Sequence, residues 1–301
     1  MRAILVLVTA ALLAAACGTS GDERTTELVP ATTGPPPTTA AAVVTAPPTT
    51  AAPTTTAAPT TTTTEPSPFA RPEWLGTRLL PLRDDGHGEV QPTPTELSDR
   101  RLETVSLLPP PPTDDYVATI GPVPDDVLAR SSWTEECPVT PQELAYLTIS
   151  HWGFDGEHHS GELIVNAGVA EDVVDVFRRL HEARFPIEGT SVVTLEQVDD
   201  HPTGDWNDTT GFVCRPAVGS SNWSQHAFGL AVDINPFHNP YLKGDLVLPE
   251  LASDYVDRER VLPGMIFDGD VVVQAFADIG WAWGGNWSSL KDWMHFSASG
   301  R

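Results

Sequence analysis

The chain has 301 residues, with 41 acidic against 17 basic side chains and a formal net charge of -24. Binding to phosphate backbones needs a basic face, so this balance excludes nucleic acid as a partner. The first hundred residues cannot belong to an ordinary core, and the remainder of the chain is the size of one domain.

Residues 1–16, MRAILVLVTAALLAAA, place one early cation, Arg2, before an apolar run that ends in small residues. This is the anatomy of a secretory signal, too short to remain in a bilayer as a spanning helix. Cys17, directly after LLAAA, resembles the lipidated cysteine of a bacterial lipobox, although Ala14 stands where a larger aliphatic residue is usual. The resemblance implies export and a lipid anchor on the outer face of the bacterial cytoplasmic membrane. The alternative is a cleaved signal followed by a chance cysteine. Residues 29–64 carry no charge, only Thr, Pro and Ala with a little Val and Gly. Such a stretch buries too little apolar surface to offset its ordering entropy, so 18–70 is expected to be a disordered tether. Residues 71–115 read as a proline-rich, partly ordered lead-in, and the domain is expected over 116–301.

Within that domain LAYLTISHWGF (144–154) and GELIVN (161–166) read as strands joined by the turn-rich DGEHHS. His158 and His159 of that turn, and His238 further on, are expected to be solvated, although His238 follows the site closely enough to line the cleft. EDVVDVFRRLHEARF (171–185) reads as a helix with Val173, Val174, Phe177 and Leu180 on one face. SVVTLEQV (191–198) reads as a strand and 200–211 as a polar loop. LAVDIN (230–235) reads as a strand with Ala231 and Asp233 on one face. GDVVVQAFADIG (269–280) reads as a helix closed by Gly280, and WAW (281–283) as a short strand. Strands and helices fall in separate runs, which predicts an α+β fold: a mostly antiparallel sheet with flanking helices, in a single catalytic domain. Cys137 and Cys214 form an even pair in an exported chain, and so read as a disulfide.

The stretch WSQHAFGLAVDIN (223–235) puts His226, Gly229 and Asp233 into an otherwise apolar run. A straight strand would aim His226 and Asp233 to opposite faces, and Gly229 permits the bend that lets them converge. KDWMHF (291–296) supplies His295, with Asp292 three residues before it. Three nitrogen or oxygen ligands plus water is the open zinc arrangement of a hydrolase. Asp292 is placed to serve as the base. The bland alternative is three satisfied polar residues beside a core.

These residues also carry a family resemblance. S-Q-H-A-F-G-L-A-V-D (224–233) resembles the S-x-H-x-x-G-x-A-x-D signature of the VanY-type D-alanyl-D-alanine carboxypeptidase zinc peptidases. GWAWGGNWSSLKDWMHF (280–296) is similar to the end of their active-site region. Its W-G-G and D-x-M-H-F elements are closest to the branch containing L-alanyl-D-glutamate endopeptidases. The resemblance covers roughly 135–297. It implies a monomeric Zn2+ peptidase acting on peptidoglycan stem peptides at the cell envelope, with His226, Asp233 and His295 as ligands. Asp292 would be the acid/base carboxylate, where other members often have glutamate. Arg215, the only cation between Arg184 and Lys243, would steady the oxyanion. Ser224 is expected to cap or brace the backbone near His226. A carboxypeptidase also needs a cation for the terminal carboxylate, and only Lys243 and Lys291 lie near the motifs, which favours an endopeptidase. Trp281, Trp283 and Trp287 are expected to be core and scaffold before glycan contacts. The rival reading is a non-catalytic peptidoglycan-binding lipoprotein that retains the fold.

Overall fold

A computed structural model of the chain describes residue 67 and residues 69–300. The signal segment, Cys17 and nearly all of the expected tether lie outside the described residues. Among the described residues, no helix is long and apolar enough to cross a membrane.

The domain opens with β1 (Ala118–Pro122), α1 (Asp125–Arg130), β2 (Leu144–Trp152), β3 (His158–Asn166) and α2 (Ala170–Glu182). Short elements follow: β4 (Gly189–Thr190), α3 (Leu195–Asp199), β5 (Asp208–Thr209), β6 (Ala231–Asp233), β7 (Tyr241–Lys243) and β8 (Leu246–Leu248). The chain closes with α4 (Val271–Asp278), β9 (Ala282–Trp283), β10 (Lys291–Asp292) and β11 (His295–Ser297). The sheets run β1-β2-β3, β6-β11-β9 and β10-β7-β8, all antiparallel, with β4-β5 a two-residue parallel pair. The fold is α+β, as the separate runs predict.

The main core lies where α2 and α4 cover the inner face of these sheets. Leu147 and Ile149 of β2 alternate inward and meet Val173, Phe177 and Leu180 of α2. Val232 of β6 and Phe296 of β11 join the same cluster, and Phe276 of α4 stacks on Phe296 at 4.1 Å. Burying each of these side chains contributes roughly 1.5–3 kcal/mol, and the strands that carry the site are anchored by them. Trp281 and Trp283 belong to this core, with the Trp283 indole N–H donating to Trp293 O at 2.8 Å. The Cys137–Cys214 disulfide is formed, with Cα atoms 5.8 Å apart.

Four expectations need correction. Residues 191–198 are not a strand: Thr194 Oγ1 accepts from Gln197 N and Gln197 Oε1 accepts from Thr194 N. This capping box starts a helical turn and overrides the β-branched run before it. His158 and His159 are not in a solvated turn, because β3 begins at His158 and pairs them with Trp152 and His151. His238 is 0 % exposed, stacked on Phe154, with Nε2 2.9 Å from Arg100 O, so it lines no cleft. The segment 71–115 is part of the packed body. Leu80, Leu97 and Leu102 share a second cluster with Phe237, Leu251 and Tyr255. Within it Arg100, 2 % exposed, forks onto Glu188 through Nε at 2.6 Å and Nη2 at 2.7 Å. Prolines leave this segment little regular structure beyond a 3-10 turn at Thr95–Leu97, but do not keep its side chains from burial.

Candidate active site

His226 sits in a single 3-10 turn, Gln225–Phe228, whose start is capped by Ser224: its Oγ accepts from His226 N at 3.3 Å. The turn ends at Gly229 with φ 66°, and its backbone is pressed against the end of β3, where Asn166 N donates to Gly229 O at 2.8 Å. A Cβ on Gly229 would collide with Asn166 N and Val165 C. Gly229 is thus demanded twice, by the left-handed φ and by the close approach. The reversal it allows brings His226 and Asp233 to one side, as the sequence predicts.

Asp233 ends β6 and lies directly opposite His295, the first residue of β11. Its backbone also exchanges two hydrogen bonds with Thr210, at 2.9 and 3.0 Å. The three side chains converge: His295 Nδ1 is 3.0 Å from Asp233 Oδ1, and His226 Nε2 is 3.2 Å from Asp233 Oδ2. His226 Nε2 and His295 Nδ1 are 3.2 Å apart, and all three residues are buried.

The donor set fits a divalent ion. His226 Nδ1 lies 2.6 Å from the carbonyl of Gly211. A carbonyl only accepts, so Nδ1 carries the proton and Nε2 turns a bare lone pair toward the Asp233 carboxylate. Two lone-pair atoms at that separation need a proton or a cation between them. A zinc-like ion with affinity for both imidazole and carboxylate satisfies all three donors together. Burial pushes Asp233 toward the neutral form, but positive charge beside it, carried by the imidazoles or by an ion they share, outweighs this and holds the carboxyl well below the usual range. Asp233 is therefore available as an anion.

Asp292, on β10 opposite Tyr241, is the carboxylate next to this centre. Burial pushes it up to about 7, reinforced by Asp233 and opposed by His295 and Arg215. Its Oδ1 is sealed from solvent and has no hydrogen-bond partner among the described residues. Such a carboxyl can take up and return a proton near neutrality. The W-G-G element makes room for it: a Cβ on Gly284 would press on Asp292, and one on Gly285 on the Trp283 ring. Arg215 is half-buried beside the disulfide, its Nη1 donating to Pro216 O at 3.2 Å. Its charge reaches Asp292, but it stands outside the ligand triangle.

Sequence reasoning misses two supports. The Gly211 carbonyl sets the His226 tautomer, and a backbone acceptor leaves no signature in side-chain identities. Trp287, expected in the scaffold, holds its ring 5.5 Å from that of His295 and donates from Nε1 to Gly300 O at 3.0 Å.

An α+β fold here carries a buried His/Asp/His triangle that could hold a metal ion, beside a carboxylate whose Oδ1 has no hydrogen-bond partner among the described residues. Residues 218–298 match the family model described as D-alanyl-D-alanine carboxypeptidase, which bears out the resemblance read from the two motifs. The match contains His226, Asp233, Asp292 and His295, whereas Arg215 and the disulfide precede it. No curated protein and no solved structure matches the chain.

Proposed function

We propose that the protein is a zinc-dependent peptidase that hydrolyses amide bonds in peptidoglycan stem peptides at the cell envelope. The convergence of His226, Asp233 and His295 beside Asp292 carries this reading. Zinc held by the three side chains would supply Lewis acidity, polarising a carbonyl and lowering the pKa of water toward neutrality.

The chain's own residues do the rest. Gly211 O, through Nδ1, keeps His226 Nε2 unprotonated and aimed at the centre. Ser224 fixes the turn that carries it. Asp292 takes a proton from the attacking water and returns it to the leaving amine. Arg215, whose guanidinium has only a backbone carbonyl as hydrogen-bond partner among the described residues, supplies positive charge where the scissile carbonyl oxygen becomes anionic.

Lys291 Nζ donates to Gly285 O at 2.9 Å, which engages one of the two cations that could hold a terminal carboxylate. That supports cleavage within the stem peptide over removal of its last residue. The N-terminal reading completes the proposal: export, lipidation at Cys17, and a tether that lets a monomeric domain work in the layer outside the membrane.

Purified muropeptides incubated with wild type and with Asp292→Ala test the reading by mass spectrometry. Cleavage by wild type alone is expected, and the fragment masses identify the bond. Unchanged muropeptides in both samples would point to a binding module instead.

A further inference from the structure

Outside the His226/Asp233/His295 triangle, three polar residues form a line that the proposed peptidase does not use. Ser106 Oγ lies 3.0 Å from His159 Nδ1. On the far side of the ring, His159 Nε2 lies 3.1 and 3.2 Å from the two carboxylate oxygens of Asp155. A carboxylate only accepts, so the proton is on Nε2, and Nδ1 turns its lone pair to the Ser106 hydroxyl. The hydroxyl therefore donates to the imidazole, as a nucleophile does to its general base.

The arrangement is built into the fold. Asp155 and His159 side chains are 14 % and 12 % exposed, while Ser106 is open to solvent. Asp155 Oδ1 is also held by Glu157 N at 3.0 Å, and His151 stacks against the imidazole at 5.8 Å. A Cβ on Gly153 would collide with both Asp155 Oδ1 and the His159 ring. A simple clasp between segment and sheet needs only the Ser106–His159 bond. The carboxylate on the opposite nitrogen would stabilise the imidazolium formed when Nδ1 takes the serine proton.

We infer that Ser106, His159 and Asp155 form a second, metal-independent acyl-transfer site for esters with short apolar acyl groups. The ring is used in the sense opposite to the common triad, with Nδ1 toward the hydroxyl. Val105 and Leu107 flank the serine at 59 % and 63 % exposure and give the acyl chain an apolar surface. Among the described residues, the N–H groups of Ser106 and Leu107 donate to no acceptor, which leaves them free for an oxyanion. Ser106 Oγ bonds to the acyl carbon as the ester C–O bond breaks, and its proton passes through His159 Nδ1 to the departing alkoxide. Water then attacks the acyl-serine. Its proton returns through Nδ1 to Oγ as the carboxylic acid leaves.

The test is covalent labelling of the full chain with a fluorophosphonate probe and with p-nitrophenyl acetate, mapped by peptide mass spectrometry. The expected result is a label on Ser106 that persists with a metal chelator, which separates this site from the peptidase centre. His159→Gln and Asp155→Asn should slow labelling at least about tenfold, in keeping with the weight of a general base. Ser106→Ala should remove the label without changing the circular dichroism. Labelling of Ser106 no faster than of exposed Ser221, or at the same rate in a folded His159→Gln protein, would overturn the inference.

Discussion

His295 faces Asp233 directly across the β6–β11 pairing, with His295 Nδ1 3.0 Å from Asp233 Oδ1. A hydrogen-bonded ladder sets this contact, so two of the three donors are already in place for an ion, and little ordering is left to be done on binding.

Replacing Asp233 by Asn keeps the shape but removes the charge that offsets the ion. Zinc affinity is expected to fall at least about a hundredfold, with peptidase activity lost in parallel. Metal content after dialysis against a weak chelator measures this. A variant that retains stoichiometric zinc would show that Asp233 is not a ligand.

Gly229→Ala tests the bend. The substitution faces both a left-handed φ and a backbone collision at Asn166. A loss of about 2–4 kcal/mol is expected in urea denaturation at pH 7. If stability and activity stay at wild-type values, Gly229 is not what turns His226 toward Asp233.

The site is more legible in the sequence than the body that supports it. His226, Asp233 and His295 stand out because polar residues interrupt apolar runs at the spacing of a known motif. Arg100 gives no such sign: its burial depends on Glu188, 88 residues away, and nothing periodic surrounds it. Thr194 shows how a local rule can mislead. The β-branched run before it suggests a strand, yet its side chain and that of Gln197 close a helix cap.

Arg100 and Glu188 therefore supply a prediction about domain limits. Removing Arg100 leaves buried Glu188 with the partly exposed Arg71 as its remaining cation, so Arg100→Met should cost about 3 kcal/mol, the low end for breaking a buried pair. A chain starting at residue 116 should lose more, since Leu80, Leu97 and Leu102 go with it. Limited proteolysis and thermal unfolding of both proteins check this. A residue-116 start that unfolds at the wild-type temperature would restore the sequence-based boundary.

Acid stability depends on buried histidines. Burial, aided by the neighbouring His159, holds His151 down to about 3; burial likewise holds His238 down to about 4. Both are neutral in the folded protein, whereas in the unfolded chain they protonate near 6.5. Their contribution is complete above pH 6.5 and is lost as pH falls toward the folded values. Urea denaturation should show stability dropping from pH 6.5 to 4.5 by on the order of 2 kcal/mol per histidine. His151→Phe should flatten part of that slope; an unchanged slope would mean that His151 does not set it.

Asp292 gives the sharpest test of the chemistry. A base must be deprotonated to act, and burial pushes this carboxyl up to about 7, so kcat/KM should rise with pH through a limb in that region. A cation among the three ligands pulls the value down, placing the limb of the zinc-loaded enzyme at or below pH 7. Asp292→Asn should remove the limb and lower kcat by about 10²–10⁴ while zinc content stays at the wild-type level. Asp292→Glu keeps the carboxylate and should restore part of the rate. A variant that loses its zinc along with its activity would instead make Asp292 part of the ligand set.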